Sequence, residues 1–267
     1  MKVLRALAVL IPLSLSALPS CPAAESQNPG PKPVLVLLEK DPWLVLEGSD
    51  NPTFVLYEDG LALYARAGAD QNREYYSAHL DPAAIQEFLA ALPLKDLIAA
   101  PKKIPGLRAI NPQVMNVIQY WENGKRRKKV SMEGNLRQDL LPRDPATLAF
   151  LKAFKYLTSY SRPEEKPWLP AQIEVLFFPF PAPPEPAPAP WPGGWPGLDH
   201  PETRRRGDAF SLFLPSDKLP ELRRWVEGLE NFQPVRISGK VGQIALRFPF
   251  PGEEQWARIR NFKAPKV

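Results

Sequence analysis

Thr53-Phe54-Val55-Leu56-Tyr57, then Glu58-Asp59-Gly60, then Leu61-Ala62-Leu63-Tyr64-Ala65-Arg66 is the stretch that decides the fold class. Two apolar, β-branched and aromatic runs flank Asp-Gly, a dipeptide whose glycine supplies the positive φ of a tight turn, so the stretch predicts a β-hairpin. The neighbouring runs have the same character. Residues 34–39 (VLVLLE) and 43–47 (WLVLE) lie upstream and 73–80 (REYYSAHL) downstream, all read as strands. A helix is then expected over 82–92. Asp81 can cap it and Pro82 suits its first position, while Ile85, Phe88, Leu89 and Leu92 fall on one face.

The same devices recur along the chain. Residues 116–121 and 125–132 flank Glu122-Asn123-Gly124 as a second hairpin. Asp144-Pro145 opens a helix whose expected apolar face is Leu148, Leu151 and Phe154 with Phe150 and Leu157. Residues 172–180 and 210–215 read as strands. A helix with Leu219, Leu222, Val226 and Leu229 on one side follows, then a hairpin of 234–238 and 242–250 about Gly239-Lys240. Within the last strand Ile244, Leu246 and Phe248 alternate with Ala245 and Arg247, the pattern of a half-buried strand. The order strand, helix, hairpin thus occurs twice, which an old duplication or a common supersecondary order arising twice would both produce. The fold class is α+β: mainly antiparallel sheets with hairpins, each covered by one or two helices.

Composition agrees. The chain has 267 residues, 34 of them proline, more than twice the usual ~5 per cent, which disfavours long helices. Two histidines and one cysteine leave little from which to build a zinc or iron–sulfur site, so no metal and no cofactor are expected.

The N-terminus has the layout of an export leader. Met1, Lys2 and Arg5 precede an apolar run at residues 6–18, with small residues at Ser20, Ala23 and Ala24. The run is too short to span ~30 Å of hydrocarbon. Cys21, the only cysteine, follows in Leu18-Pro19-Ser20-Cys21. This resembles the lipobox of bacterial lipoproteins, with Pro19 a departure from its pattern. The resemblance implies that Cys21 becomes the acylated first residue of the mature chain. Cleavage after Ala23 by an ordinary signal peptidase is the alternative. Removal of residues 1–20 takes Lys2 and Arg5 with it, leaving 32 basic residues against 29 acidic, a net charge of +3. With no second cysteine no intrachain disulfide forms, so the fold rests on its apolar core. The expected organisation is a leader over 1–21, a flexible tether over 22–33, an α+β domain over 34–162 and a second over 163–267.

Two stretches are candidate binding sites. Lys125, Arg126, Arg127, Lys128 and Lys129 are the densest charge in the chain and suit a polyanion such as lipid headgroups or an acidic envelope polymer. Alternation along a strand would divide them between two faces, and lysines on an edge hairpin also serve simply to block sheet-to-sheet association. Arg204-Arg205-Arg206 is a shorter run of the same kind. The second candidate lies in the Pro-rich connector 179–197, expected to be extended polyproline II, because proline without its N–H fits neither helix nor inner strand. There Trp191 and Trp195 offer aromatic faces that could stack on a sugar or partner, or fold back and pin the connector.

No catalytic constellation is legible. His79 reads as a core-edge residue. His200, between Asp199 and Glu202, lacks a nucleophile motif. Glu164-Glu165 and Glu253-Glu254 read as solvated surface. Taken together, the leader, Cys21, the tether and the Asp59-Gly60 hairpin layout resemble the uncharacterised bacterial envelope lipoproteins. That resemblance implies an exported protein anchored to the membrane through lipid, with an envelope protein or polymer as partner, no nucleic acid and a binding or structural role. The alternative is an exported metal-independent hydrolase.

Overall fold

The computed structural model describes residues 30–40, 51–67, 73–105, 114–137, 144–181, 185–230 and 233–256. The leader with Cys21, the tether as far as residue 29 and the expected strand at 43–47 lie outside the described residues.

The chain folds as α+β with two sheets, as the hairpin pattern predicts. The first sheet takes β1 (Pro33–Lys40), β2 (Pro52–Tyr57), β3 (Leu61–Ala67), β4 (Arg73–His79), β5 (Lys103–Ile104), β6 (Met115–Glu122), β7 (Lys125–Glu133) and β8 (Lys166–Pro167), in the order β5-β7-β6-β1-β2-β3-β4-β8. The second takes β9 (Gln172–Pro179), β10 (Ala189–Pro190), β11 (Arg204–Arg206), β12 (Ala209–Pro215), β13 (Val235–Ile237) and β14 (Lys240–Arg247), in the order β10-β13-β14-β9-β12-β11. Pairing is antiparallel except at β5–β7 and β10–β13.

Local chemistry sets these elements. Gly60 turns the β2–β3 hairpin at φ +89°, where a Cβ would sit 2.1 Å from the Leu80 carbonyl oxygen, so only glycine fits. Asp81 accepts from the Ala84 N–H at 2.7 Å and starts α1 (Pro82–Ala91). Asp144 accepts from the Thr147 N–H at 2.9 Å and starts α3 (Pro145–Thr158). Between them the short helix α2 (Leu94–Ala99) follows Pro93, with Leu97 buried. The sequence reading misses α2, since six residues hold too little of the 3.6-residue period to show it.

One face of the first sheet packs under α1, α2 and α3, three helices rather than one or two. Leu35, Leu37, Phe54, Leu56 and Tyr64 meet Phe88, Leu97, Phe150, Phe154 and Leu157 there. Leu148, expected on the apolar face of α3, is 50% exposed. The face centres instead on Thr147, Phe150, Phe154 and Leu157. The opposite face of the sheet, including Val36, Leu38, Val55 and Tyr57, shares a second buried cluster with Ile173, Val175, Phe177, Leu212 and Leu246 of the second sheet and Leu219 and Leu222 of α4 (Leu219–Glu227). β2 is therefore buried along its whole length.

The segment after β14 ties the two sheets together. Phe248 and Phe250 lie 5.5 and 5.4 Å from the Tyr75 ring. The Tyr57 hydroxyl donates to the Pro251 carbonyl at 2.8 Å, and the Phe248 N–H donates to Asn51 Oδ1 at 3.1 Å. The first sheet also recruits β8 from just beyond the boundary expected near residue 163, with Trp168 N–H donating to Tyr75 O at 2.8 Å.

Several details differ from the sequence reading. The last hairpin turns at Ser238-Gly239, both at positive φ, one residue before the expected Gly239-Lys240. The two strand–helix–hairpin units have different topologies. In the first, the hairpin's earlier strand β6 faces the sheet interior; in the second, the later strand β14 does. Within the expected tether, residues 30–33 are held in place. Pro33 opens β1, Lys32 O accepts from the Glu58 N–H at 2.9 Å, and Gly30 is packed against the Gly252 backbone.

Candidate functional site

The basic run forms most of β7, and its geometry follows from the hairpin. Asn123 and Gly124 occupy the turn at φ +50° and +69°, the positive pair a two-residue hairpin loop requires. Tyr120 pairs with Lys128 and Trp121 with Arg126, so Arg127 is the extra residue of a β-bulge. A bulge breaks strict alternation and re-aims side chains. Lys125, Arg126, Arg127 and Lys129 are exposed. Arg126 donates to Gln119 Oε1 at 3.2 Å, and Arg127 Nε lies 3.8 Å from Glu122 Oε2. Glu122, Asn123, Lys125, Arg126 and Arg127 line an open groove at the hairpin tip. Three cations against one carboxylate suit phosphate or carboxylate oxygens, which arginine can take through two parallel N–H donors.

Lys128 does not belong to this groove. Its ammonium donates to the carbonyls of Ile98 (2.8 Å) and Ala100, at the C-terminal end of α2. A cation there offsets the helix dipole and satisfies carbonyls that lack intrahelical partners. The run thus divides between a helix-capping lysine and an exposed cationic tip.

Trp191 and Trp195 lie half-buried beside Trp225 of α4. The three rings meet edge to face at 5.0, 5.2 and 5.9 Å, and the Trp191 indole N–H donates to Pro196 O at 3.1 Å. With 76° between them, the Trp191 and Trp195 planes form no flat platform; they pin the Pro-rich segment to α4. That segment is also an edge strand. The Ala189 and Trp191 N–H groups donate to Pro234 and Arg236 carbonyls at 2.9 and 3.1 Å. Pro188, Pro190 and Pro192 take the alternate positions, where an edge would otherwise offer N–H donors to another chain.

Arg204-Arg205-Arg206 forms β11 at the other edge of the second sheet. Arg206 reaches inward, 3.0 Å from Glu174 Oε1 and 2.6 Å from Ser211 Oγ. Arg204 lies over the Phe213 ring.

His79 and His200 are both exposed. His200 Nδ1 accepts from the Glu202 N–H at 3.3 Å, and among the described residues neither histidine is brought to a hydroxyl and a carboxylate together. Among the described residues no group of three or more His, Cys, Asp or Glu could hold a metal ion, and no helix is long and apolar enough to cross a membrane.

The strongest electrostatics are buried, in ion pairs between residues far apart along the chain. Glu174 on β9 and Arg247 on β14 face each other almost fully buried, hydrogen-bonded through Oε2 and a guanidinium nitrogen. Arg247 also donates to Glu253 at 2.8 Å, so Glu253 is not solvated surface. Burial raises the Glu253 carboxyl above its usual range despite the arginine. Glu165 is likewise drawn in. Burial works to raise its pKa, but hydrogen bonds from Tyr64 (2.6 Å) and the Arg162 N–H, with the Arg66 ion pair, outweigh it and hold the carboxyl low. Glu39 accepts from Thr53 at 2.7 Å and from Arg137 at 2.8 and 3.2 Å. The Glu174–Arg247 pair is enclosed, and the carboxylates Glu165 and Glu39 are each already occupied by arginine and hydroxyl donors that hold strands together; the exposed hairpin tip is the arrangement with cations open to a ligand. Comparison with protein-family models, curated proteins and solved structures finds no match to this chain.

Proposed function

We propose that the protein is exported, held at the cell envelope by a lipid on Cys21, and serves there as an α+β binding module rather than as an enzyme. One observation carries the reading: the order of residues at the N-terminus. A basic start, the apolar run 6–18 and Leu18-Pro19-Ser20-Cys21 stand in sequence, with the chain's single cysteine at the position where lipid attachment would require it. The exposed cations of the β6–β7 tip support a binding role, since they offer donors to an anionic envelope component. Several acyl chains, each contributing about 0.8 kcal/mol per buried CH₂, would hold the body firmly on a membrane face.

Fractionation of cells expressing the wild-type chain and Cys21→Ser tests this. Membranes are washed at about 1 M salt, where the Debye length falls to about 3 Å and exposed charge attractions are screened. The wild type is expected in the washed membranes and Cys21→Ser in the soluble exported fraction. Wild-type protein that is fully soluble after export would contradict the anchor.

A further inference from the structure

We propose that the tip of the β6–β7 hairpin is a membrane-facing foot that docks on anionic lipid headgroups. The proposal rests on the anchored reading above and names the partner of the cationic groove.

Position carries the argument. The described chain begins at Gly30, two residues before Lys32, and Lys32 lies against the hairpin turn: a methyl on Gly124 would sit 3.4 Å from Lys32 Cδ and 3.5 Å from Nζ. The point where the tether joins the body is therefore at the same end of the molecule as the basic tip. Eight residues, 22–29, separate Cys21 from Gly30, and even fully extended this span reaches roughly 30 Å. A body held on so short a tether keeps this end near the bilayer to which Cys21 would be attached. Lys32, Lys125, Arg126, Arg127 and Lys129 are all exposed at or next to that end. Glu58 and Asp59 in the adjoining β2–β3 turn and the exposed Glu254 near Tyr57 carry opposite charge at this end, so the cationic surplus is confined to the hairpin tip, where Lys125, Arg126 and Arg127 meet the single carboxylate Glu122. Phosphate oxygens of an anionic phospholipid surface match that surplus, and a basic patch next to a lipid chain is the second signal that makes anchoring stable. The bulge at Arg127 keeps Arg126 and Arg127 from strict alternation at the tip.

The test uses the full chain and added vesicles, so it does not depend on whether Cys21 is lipidated. Binding is measured to vesicles of phosphatidylcholine alone and of phosphatidylcholine with phosphatidylglycerol. The wild type is expected to prefer the anionic vesicles, and the preference to fall as salt rises. Lys125→Glu/Arg126→Glu/Arg127→Glu is expected to cut the preference at least about tenfold. Lys95→Glu/Lys152→Glu/Lys155→Glu, with the same change in net charge on α2 and α3, is expected to retain it. Circular dichroism checks that each variant is folded. If the hairpin triple variant does not fold, Arg126→Ala/Arg127→Ala is read in its place, with a reduced preference expected. Equal binding of wild type to both vesicles, or equal loss in the two triple variants, would overturn the proposal. So would binding to soluble polyglutamate without binding to anionic vesicles. Membrane retention lost in Cys21→Ser with the vesicle preference intact isolates the anchor; the reverse isolates the foot.

Discussion

Arg247→Ala is expected to lower the free energy of unfolding by about 3–5 kcal/mol, the usual cost of removing one partner from a buried ion pair. The arginine side chain is 2% exposed, with Glu174 at 1% and Glu253 at 13%. Alanine would leave two carboxylates close together in a site with little water, with Arg206 the remaining cation on Glu174. Arg247 is also the chief influence lowering the Glu253 pKa, so in the variant that carboxyl is expected to titrate higher still. The sign of the pH dependence follows. A carboxyl raised in the folded state binds its proton more tightly there than in the unfolded chain. The variant should therefore regain stability as the pH falls from the raised folded pKa toward the ordinary carboxylate value, and lose it again on the way up. Urea unfolding at several pH values reads both effects. A loss below about 1 kcal/mol would mean that Arg247 is less enclosed than described.

Phe54→Ala is expected to cost about 3–5 kcal/mol by thermal or urea unfolding. Phe54 is fully buried on β2, stacked on Phe88 of α1 at 5.3 Å, with the Tyr160 ring edge-on at 5.2 Å. Tyr160, just past α3, also meets Tyr64 and Phe88 edge to face at 5.0 and 5.4 Å. Its burial pushes the phenol pKa up to about 12. Removing the Phe54 ring leaves a cavity where the sheet, α1 and the end of α3 converge, and ring packing adds to the lost burial. Leu148→Ala is the companion, expected to change stability by no more than about 0.5 kcal/mol because the side chain is half exposed. A larger loss at Leu148 than at Phe54 would return α3 to the face expected from sequence.

Leu148 shows where the sequence is legible and where it is not. Local signals read correctly. Asp59-Gly60, Asp81-Pro82, Asn123-Gly124 and Asp144-Pro145 each act within four residues, and each forms the turn or cap that its chemistry requires. The rotation of α3 depends on what it packs against, and leucines at adjoining positions left more than one face open. Arg247 read as the outward residue of a half-buried strand, because Glu174 lies 73 residues away. Glu165 meets Tyr64 across 101 residues. Burial of these charges is decided by the pairing of distant strands, which no local pattern records. The basic run was visible as charge, but the role of Lys128 depends on α2, which was not. Trp191 and Trp195 were visible as aromatics, while Trp225, which sets their edge-to-face arrangement, belongs to another element.

Mass spectrometry of the N-terminal peptide, from protein purified out of its native cells, reaches the anchor itself. The account predicts a chain that starts at Cys21 and carries the added mass of a diacylglycerol thioether. A chain that retains Met1, or one that starts at Ala24 with no lipid, would contradict it.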